Sequence, residues 1–221
     1  MSADERQAKL APKALLNALH HRAVHNRRVR ILSRHLAEII PDGGRVLDVG
    51  CGDGLISRAI MDERPDLEIE GVDVMLRPIT HIPATRFDGC VLPFGDESFD
   101  YVTIVDVLHH TTDPVIMLAE SCRVARKGVV IKDHLREGFG AGVTLRVMDW
   151  VGNRGHDVVL PYNYLPRSEW DAAFRRARLT VVAWRDKLNL YPRPARYLFD
   201  RHLHYVALLA PDRFGQSSGS M

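Results

Sequence analysis

Val46-Leu47-Asp48-Val49-Gly50-Cys51-Gly52-Asp53-Gly54 is a short apolar run that carries one acid and then breaks into glycines at every second position. The backbone there must turn sharply and let a ligand approach closely. Glycine permits both, because it lacks a Cβ and reaches positive φ at little cost. The stretch reads as a strand over residues 45–49 that passes through a tight turn into a helix over residues 55–62. In an open parallel sheet such a turn lies beyond the carboxyl end of its strand, where ligands bind if the strand order reverses.

Strand-like and helical segments alternate downstream. Strands are expected over residues 67–72 before Asp73, 85–87 before Asp88, 99–105 before Asp106, and 128–131. A helix is expected over 114–124, with Asp113 as N-cap and Pro114 at the first helical position. This alternation signals βαβ units, and so an α/β fold with a mostly parallel sheet flanked by helices. After Lys132 the rhythm breaks, and residues 133–166 show no long period. Ser168 and Asp171, at capping-box spacing, open a helix expected over 169–177. Strands over 180–184 and 204–209 bring the count to seven.

Upstream, residues 1–9 are polar and read as loose. Residues 10–40 read as one or two helices, with Leu32, Leu36 and Ile39 at helical spacing and Pro41, Gly43 and Gly44 as the stop. Residues 1–40 are thus an N-terminal helical extension, and the Gly/Ser-rich end, 212–221, is expected to be disordered. The extension is basic, with Arg22, Arg27, Arg28, Arg30 and Arg34 beside His20, His21 and His25. Its arginines either face an anionic substrate or form a solvated face.

The acids select the ligand. A dinucleotide site would want G-x-G-x-x-G and a pyrophosphate on the helix N-terminus. Here the glycines are Gly50, Gly52 and Gly54, and Asp48 precedes them by two residues. A carboxylate repels pyrophosphate and attracts an ammonium, so the ligand expected is one with a cationic amino-acid end. Asp73 stands where a carboxylate takes both ribose hydroxyls, Asp88 with Gly89 where one accepts from an adenine amino group, and Asp106 across from the glycine turn. Each alone could be a solvated loop acid. Four strand ends delivering an acid to one sheet edge make a pattern.

With these motifs, and with Leu92-Pro93-Phe94, Asp96-Glu97-Ser98-Phe99-Asp100, Val105-Asp106-Val107-Leu108-His109-His110 and Glu120-Ser121-Cys122-Arg123-Val124, the chain resembles the class I S-adenosylmethionine-dependent methyltransferases. The likeness runs over residues 45–131. It is greatest to small-molecule enzymes of the type 11 family, similar to the ubiquinone and menaquinone methyltransferases. The resemblance implies a Rossmann-like seven-stranded domain over residues 41–211, with residues 133–166 as a cap inserted after strand 5. It implies S-adenosyl-L-methionine as cofactor. Asp48, Gly50 and Gly52 would then surround its methionine part, Asp73 and Val74 its ribose, Asp88 and Gly89 its adenine, with Asp106 near the amino-acid end. One departure is Ala125-Arg126-Lys127-Gly128, a turn shorter than the family's and without its proline.

Methyl transfer needs little from the protein beyond alignment and exclusion of water, plus a base where the acceptor must lose a proton. The candidate bases on the cofactor edge are His134, His110 and His109. The last two are also candidates for a structural or cofactor-wall role, and Asp133 either orients His134 or caps a loop. Asp149 and His156 are further candidates if residues 133–166 fold as a lid. Met148, Trp150, Tyr162 and Tyr164 would wall an acceptor site, or only pack the cap, and Asn163 would orient the acceptor. His21 and His25 lack a third metal ligand, so no metal is assigned.

Bulk properties narrow the alternatives. The chain has 221 residues, 46% hydrophobic and 26% charged, with a net charge of +2. That balance does not point to nucleic acid. The three cysteines, without a C-x-x-C pair, fit a reducing compartment. The first nine residues are no signal peptide, and no apolar stretch approaches a bilayer span, so a cytoplasmic location is expected. The partner expected is a small molecule, with a homodimer left open. O-methylation of that small molecule is favoured over N or C. The alternatives are methylation of RNA or protein, and a non-catalytic S-adenosylmethionine-binding protein.

Overall fold

In the computed structural model residues 26–152 and 163–213 are described, the side chains of 149–152 excepted. A seven-stranded sheet in the order β3-β2-β1-β4-β5-β7-β6 forms the centre. Its strands are β1 (Gly44–Val49), β2 (Leu67–Asp73), β3 (Ala84–Arg86), β4 (Phe99–Val105), β5 (Ala125–His134), β6 (Leu179–Arg185) and β7 (His204–Pro211). The first five run parallel, and β7 pairs antiparallel with both β5 and β6. From β1 the chain steps outward through β2 to β3, then returns to β4 on the other side of β1. The strand order therefore reverses between β1 and β4, where an open α/β sheet leaves a crevice.

Helices cover both faces. On one, α1 (residues 26–39) and α2 (Leu55–Glu63) bury Leu32, Leu36 and Ile60 against Val46, Ile69 and Val130. On the other, α3 (Pro114–Val124) and α5 (Arg167–Arg176) bury Leu118, Trp170 and Phe174 against Leu47, Val102 and Val129. The alternation of Val46 and Leu47 between faces follows from the two-residue period of a strand. Burial on both faces explains why these strands read as continuous apolar runs.

The expected strands all form, with shifted ends. The largest shift is in β5, which continues past Ile131 through Lys132, Asp133 and His134. These three residues pair with Val206, Tyr205 and His204 of β7. A polar triplet ends an apolar run in sequence, whereas a strand ends where its hydrogen-bonding partner does. Asp113 caps α3 as expected, accepting from the Val115 N–H at 2.9 Å. No loop separates α3 from β5, which begins at Ala125; this is how the shortened turn is accommodated.

Two expectations are corrected. The Ser168/Asp171 capping box does not form. The N-cap of α5 is Pro166, Ser168 lies inside the first turn, and Asp171 pairs with Arg167. The Arg167 N–H is satisfied instead by Glu137 Oε1 at 2.9 Å, thirty residues away. Second, residues 133–166 are not irregular throughout, since α4 (Ala141–Gly152) occupies twelve of them. Its buried positions Ala141 and Leu145 pack with Tyr164 and Leu203, and half-buried Met148 joins them. Gly138 and Gly140, both at positive φ, make the turn that starts it. A short helix, α6 (Arg196–Phe199), follows β6. The loose N-terminus, the 10–25 part of the basic extension, and residues 214–221 lie outside the described residues. Among those described, no helix is long and apolar enough to cross a membrane.

Candidate active site

The glycine turn is built at the crevice. Gly50, Gly52 and Gly54 all adopt positive φ, at 73°, 58° and 74°. The N–H groups of Gly50 and Cys51 both donate to the Val72 carbonyl, which clamps the turn to β2. A Cβ on Gly50 would lie 2.4 Å from Val107 Cγ2, whereas one on Gly52 would meet nothing within 4 Å. Gly50 is thus glycine for packing as well as for φ, and Gly52 leaves open space in front of the backbone.

That space is a cavity of about 670 Å³. Of the expected site residues, Gly50, Gly52, Asp73, Val74, Gly89, Asp106 and His110 line it. Asp73 Oδ2 accepts from the Gly52 N–H at 2.8 Å and Oδ1 from the Met75 N–H at 2.8 Å. A carboxylate has about four acceptor positions, so Asp73 can hold the turn and still receive hydroxyls. Met75, Phe87, Val107, Ile116 and Met117 give the remaining wall its apolar part, with Arg77, Thr111, Thr112 and Asp113 beside them, a slot of the kind a planar ring with polar edges enters.

Asp48, Asp88, His109 and His134 do not line the cavity. Asp48 lies one layer beneath the turn. It is buried, and its carboxylate accepts from Ser57 Oγ at 2.5 Å and Thr103 Oγ1 at 2.9 Å. Burial pushes its pKa up to about 6, against the two hydroxyl hydrogen bonds that lower it. Because the folded value lies above the ordinary one, stability from this group is complete below about pH 4 and lost as pH rises through 6. The loss is roughly 3 kcal/mol, from about 1.4 kcal/mol per pH unit. In Asp48→Asn the stability between pH 4 and pH 7, measured by urea denaturation, is expected to lose this slope. Asp88 is exposed and folds its own loop, its Oδ1 accepting from the Cys90 and Val91 N–H groups. Those bonds hold its carboxyl below the ordinary value.

The histidines divide. His110 faces the cavity, while His109 and His134 are buried behind it. Asp133, fully buried in β5, accepts from His109 Nδ1 at 2.7 Å and the His134 backbone N–H at 2.7 Å through Oδ1, and from the Leu108 N–H at 3.0 Å through Oδ2. It therefore orients His109, lies 3.5 Å from the His134 ring Nδ1 through the same Oδ1, and pins the 3-10 turn Leu108–His110. Burial would raise the Asp133 carboxyl, but the adjacent His109 and His134 hold it far below the ordinary value. Burial and the nearby Lys132 lower the His134 imidazole from its ordinary value, against Asp133 and Asp106, which raise it.

Two functional candidates were not singled out in sequence. The Lys132 side chain is fully buried and pairs with Asp106 Oδ1, and Arg28 of α1 pairs with Asp106 Oδ2. Burial would raise the Asp106 carboxyl, but these two cations hold it well below the ordinary value. Lys132 hid at the end of an apolar strand, and Arg28 in a run of arginines. The ligand atoms of Asp106, His109 and His134 lie within 4.8 Å of one another, close enough to hold a metal ion. However, Asp106 already holds two cations, and Asp106 with Asp133 balances Lys132 with Arg28. A divalent ion would add two uncompensated charges in a buried site, which is costly.

Of the aromatic wall expected from residues 133–166, Tyr164 is buried and donates to the Leu145 carbonyl at 3.3 Å. Met148 packs in that same small cluster. Asn163 donates through its backbone N–H to the His109 carbonyl and through Nδ2 to the Thr111 carbonyl, so it buttresses the His110 turn. His20, His21, Arg22, His25, His156 and Tyr162, and the side chains of Asp149 and Trp150, lie outside the described residues.

Comparison with known proteins bears on the domain and the fold. Residues 47–131 match the family described as methyltransferase domain. The chain is 31% identical over 163 residues to a demethylmenaquinone methyltransferase of Renibacterium salmoninarum, covering 67% of this chain and 63% of that protein. It is 29% identical over 182 residues to the 27-O-demethylrifamycin SV methyltransferase of Amycolatopsis mediterranei, covering 74% of this chain and 64% of that one. It thus spans a little under two thirds of these relatives. The crystal structure of an S-adenosylmethionine-dependent methyltransferase from Mesorhizobium loti shares the fold, with a TM-score of 0.59 at 20% identity over 80% of this chain and 96% of that chain. Residues 47–131, on this seven-stranded fold, are thus a methyltransferase domain of the class I S-adenosylmethionine-dependent kind.

Proposed function

We propose that the protein binds S-adenosyl-L-methionine in the cavity at the β1–β4 crevice and transfers its methyl group to a small-molecule acceptor, with oxygen the favoured atom. The observation that carries this reading is a single cavity wall. On it the glycine turn and Asp73 meet Asp106 and a histidine, His110. The open space in front of Gly52 suits a ligand lying against the backbone. Gly50 and Gly52 admit the methionine part, Asp73 takes the ribose hydroxyls, and Val74 and Gly89 flank the adenine. Asp88 shapes the adenine loop rather than entering it. Asp106 lies near the amino-acid end, its carboxylate paired with Lys132 and Arg28.

The cofactor supplies a methyl group already activated on a sulfonium. What the chain adds is alignment, an apolar wall that excludes water, and a proton acceptor. His110 takes the proton from the acceptor hydroxyl, and Asp133, through Leu108 and His109, holds the turn that aims it. A cytoplasmic location goes with this reading, supported by the free thiols Cys51, Cys90 and Cys122.

Methyl-labelled cofactor incubated with fractionated cell extract tests the reading. Label is expected in a small-molecule fraction, and label only in RNA or protein would replace it with the macromolecular alternative. Cofactor binding without any transfer would leave a non-catalytic binder. On the acceptor so found, His110→Ala is expected to lower turnover about 10²–10⁴-fold with cofactor affinity unchanged.

A further inference from the structure

The outer face of α4 is unusually apolar for a surface. Phe139, in the turn that opens the helix, is 99% exposed, Val143 is 70% exposed, and Val147 continues the stripe one turn on. The inner face of the helix, Ala141 and Leu145, is packed, so the stripe is not core displaced outward. Arg201 joins this helix to α6, through Nη2 to Thr144 Oγ1 at 3.3 Å and Nε to the Leu198 carbonyl at 3.2 Å. Leu198, itself 58% exposed, and Tyr197 lie just across that link. The two elements thus present one surface with apolar residues on both sides of an arginine.

Its charge is net positive. Residues 136–152, to the end of α4, and 193–201 contain five arginines and three acids. One of the acids, Asp200, turns inward to accept the Leu190 and Tyr191 N–H groups. Apolar side chains projecting among cations match the boundary between acyl chains and anionic headgroups, where Phe and Val enter the interface and each Arg near the surface adds attraction. A second copy of the chain fits poorly, because a symmetric contact would set arginines against arginines. We propose that the α4–α6 face docks the protein on a bilayer surface that carries anionic lipid. The docking is peripheral, and it does not depend on methyl transfer.

Vesicle co-sedimentation of the full chain tests this, with phosphatidylcholine vesicles prepared with and without phosphatidylglycerol. Binding is expected only to the anionic vesicles and to weaken as salt rises. Phe139→Ser with Val143→Ser, both at exposed positions, is expected to reduce bound protein at least about tenfold, and Arg196→Glu about fivefold or more. Val182→Ser, exposed on β6, is the control and is expected to bind like the parent. Equal binding to both vesicle types, no binding, or binding unchanged in the double variant would overturn the proposal. Concentration-dependent self-association abolished by the double variant, without vesicle binding, would assign the face to a second copy.

Discussion

Asp106→Ala is expected to lower the unfolding free energy by about 3–5 kcal/mol at neutral pH, the cost of leaving a buried charge without its partner. The charge left behind is Lys132, whose side chain is fully buried, with the Arg28 guanidinium now a like charge beside it. Burial already lowers the Lys132 pKa while Asp106 opposes that shift. Without Asp106 the folded protein favours neutral lysine. A base lowered in this way destabilises the fold at pH values below its ordinary pKa, and the penalty shrinks as pH rises towards it. The gap between parent and variant in denaturant midpoint should therefore be wide at pH 7 and narrower at pH 9. A gap of equal size at both would show that the Lys132 charge is not its source. Asp106→Ala combined with Lys132→Met removes both charges and is expected to regain most of the stability. Calorimetric titration with S-adenosylhomocysteine should still find its cofactor affinity impaired, which separates the role of Asp106 in the fold from its role in the cavity.

Gly50→Ala is the second large effect. The new Cβ would stand 2.4 Å from Val107 Cγ2 at a φ of 73°. Positive φ alone costs about 1–2 kcal/mol for a residue with a Cβ, and Val107, part of the cavity wall, must also move. A loss of at least about tenfold in S-adenosylhomocysteine affinity is expected, equivalent to about 1.4 kcal/mol, together with a lower melting temperature. Gly52→Ala is the informative comparison. Its Cβ meets no protein atom within 4 Å, so it should destabilise the fold less while still intruding on the ligand. Unchanged affinity in both variants would remove the glycine turn from the binding site.

The strands and the crevice were legible because their signals are local. An apolar run, a period of two, Asp113 before Pro114, and glycines where φ is positive are all written in neighbouring residues. The acids at strand ends were legible for the same reason, since position at the end of a strand sets which edge of the sheet a residue reaches. Even α4 had a local signal, Ala141, Leu145 and Met148 at helical spacing, hidden by the glycines around it.

What the acids and histidines do was not legible, because it depends on partners brought in from distant elements. Asp48 and Asp106 look alike as strand-end acids. Thr103 in the neighbouring strand and Ser57 in α2 enclose the first, while Lys132 and Arg28 hold the second at the cavity. Lys132, Asp133 and His134 became strand because β7 pairs with them in antiparallel register, and that register placed Asp133 beneath the His110 turn. The helix start at Arg167 was decided by Glu137, a side chain thirty residues away. The sequence by itself determined the strand–turn–helix unit, the α/β class and the edge of the sheet where the cavity opens, because backbone propensity acts over a few residues. Only the tertiary structure decided which acid faces the cavity and which supports the turn, and which of His109, His110 and His134 lines that cavity. Burial and ion pairing, which set the charge and reach of these groups, arise between residues that the chain keeps far apart.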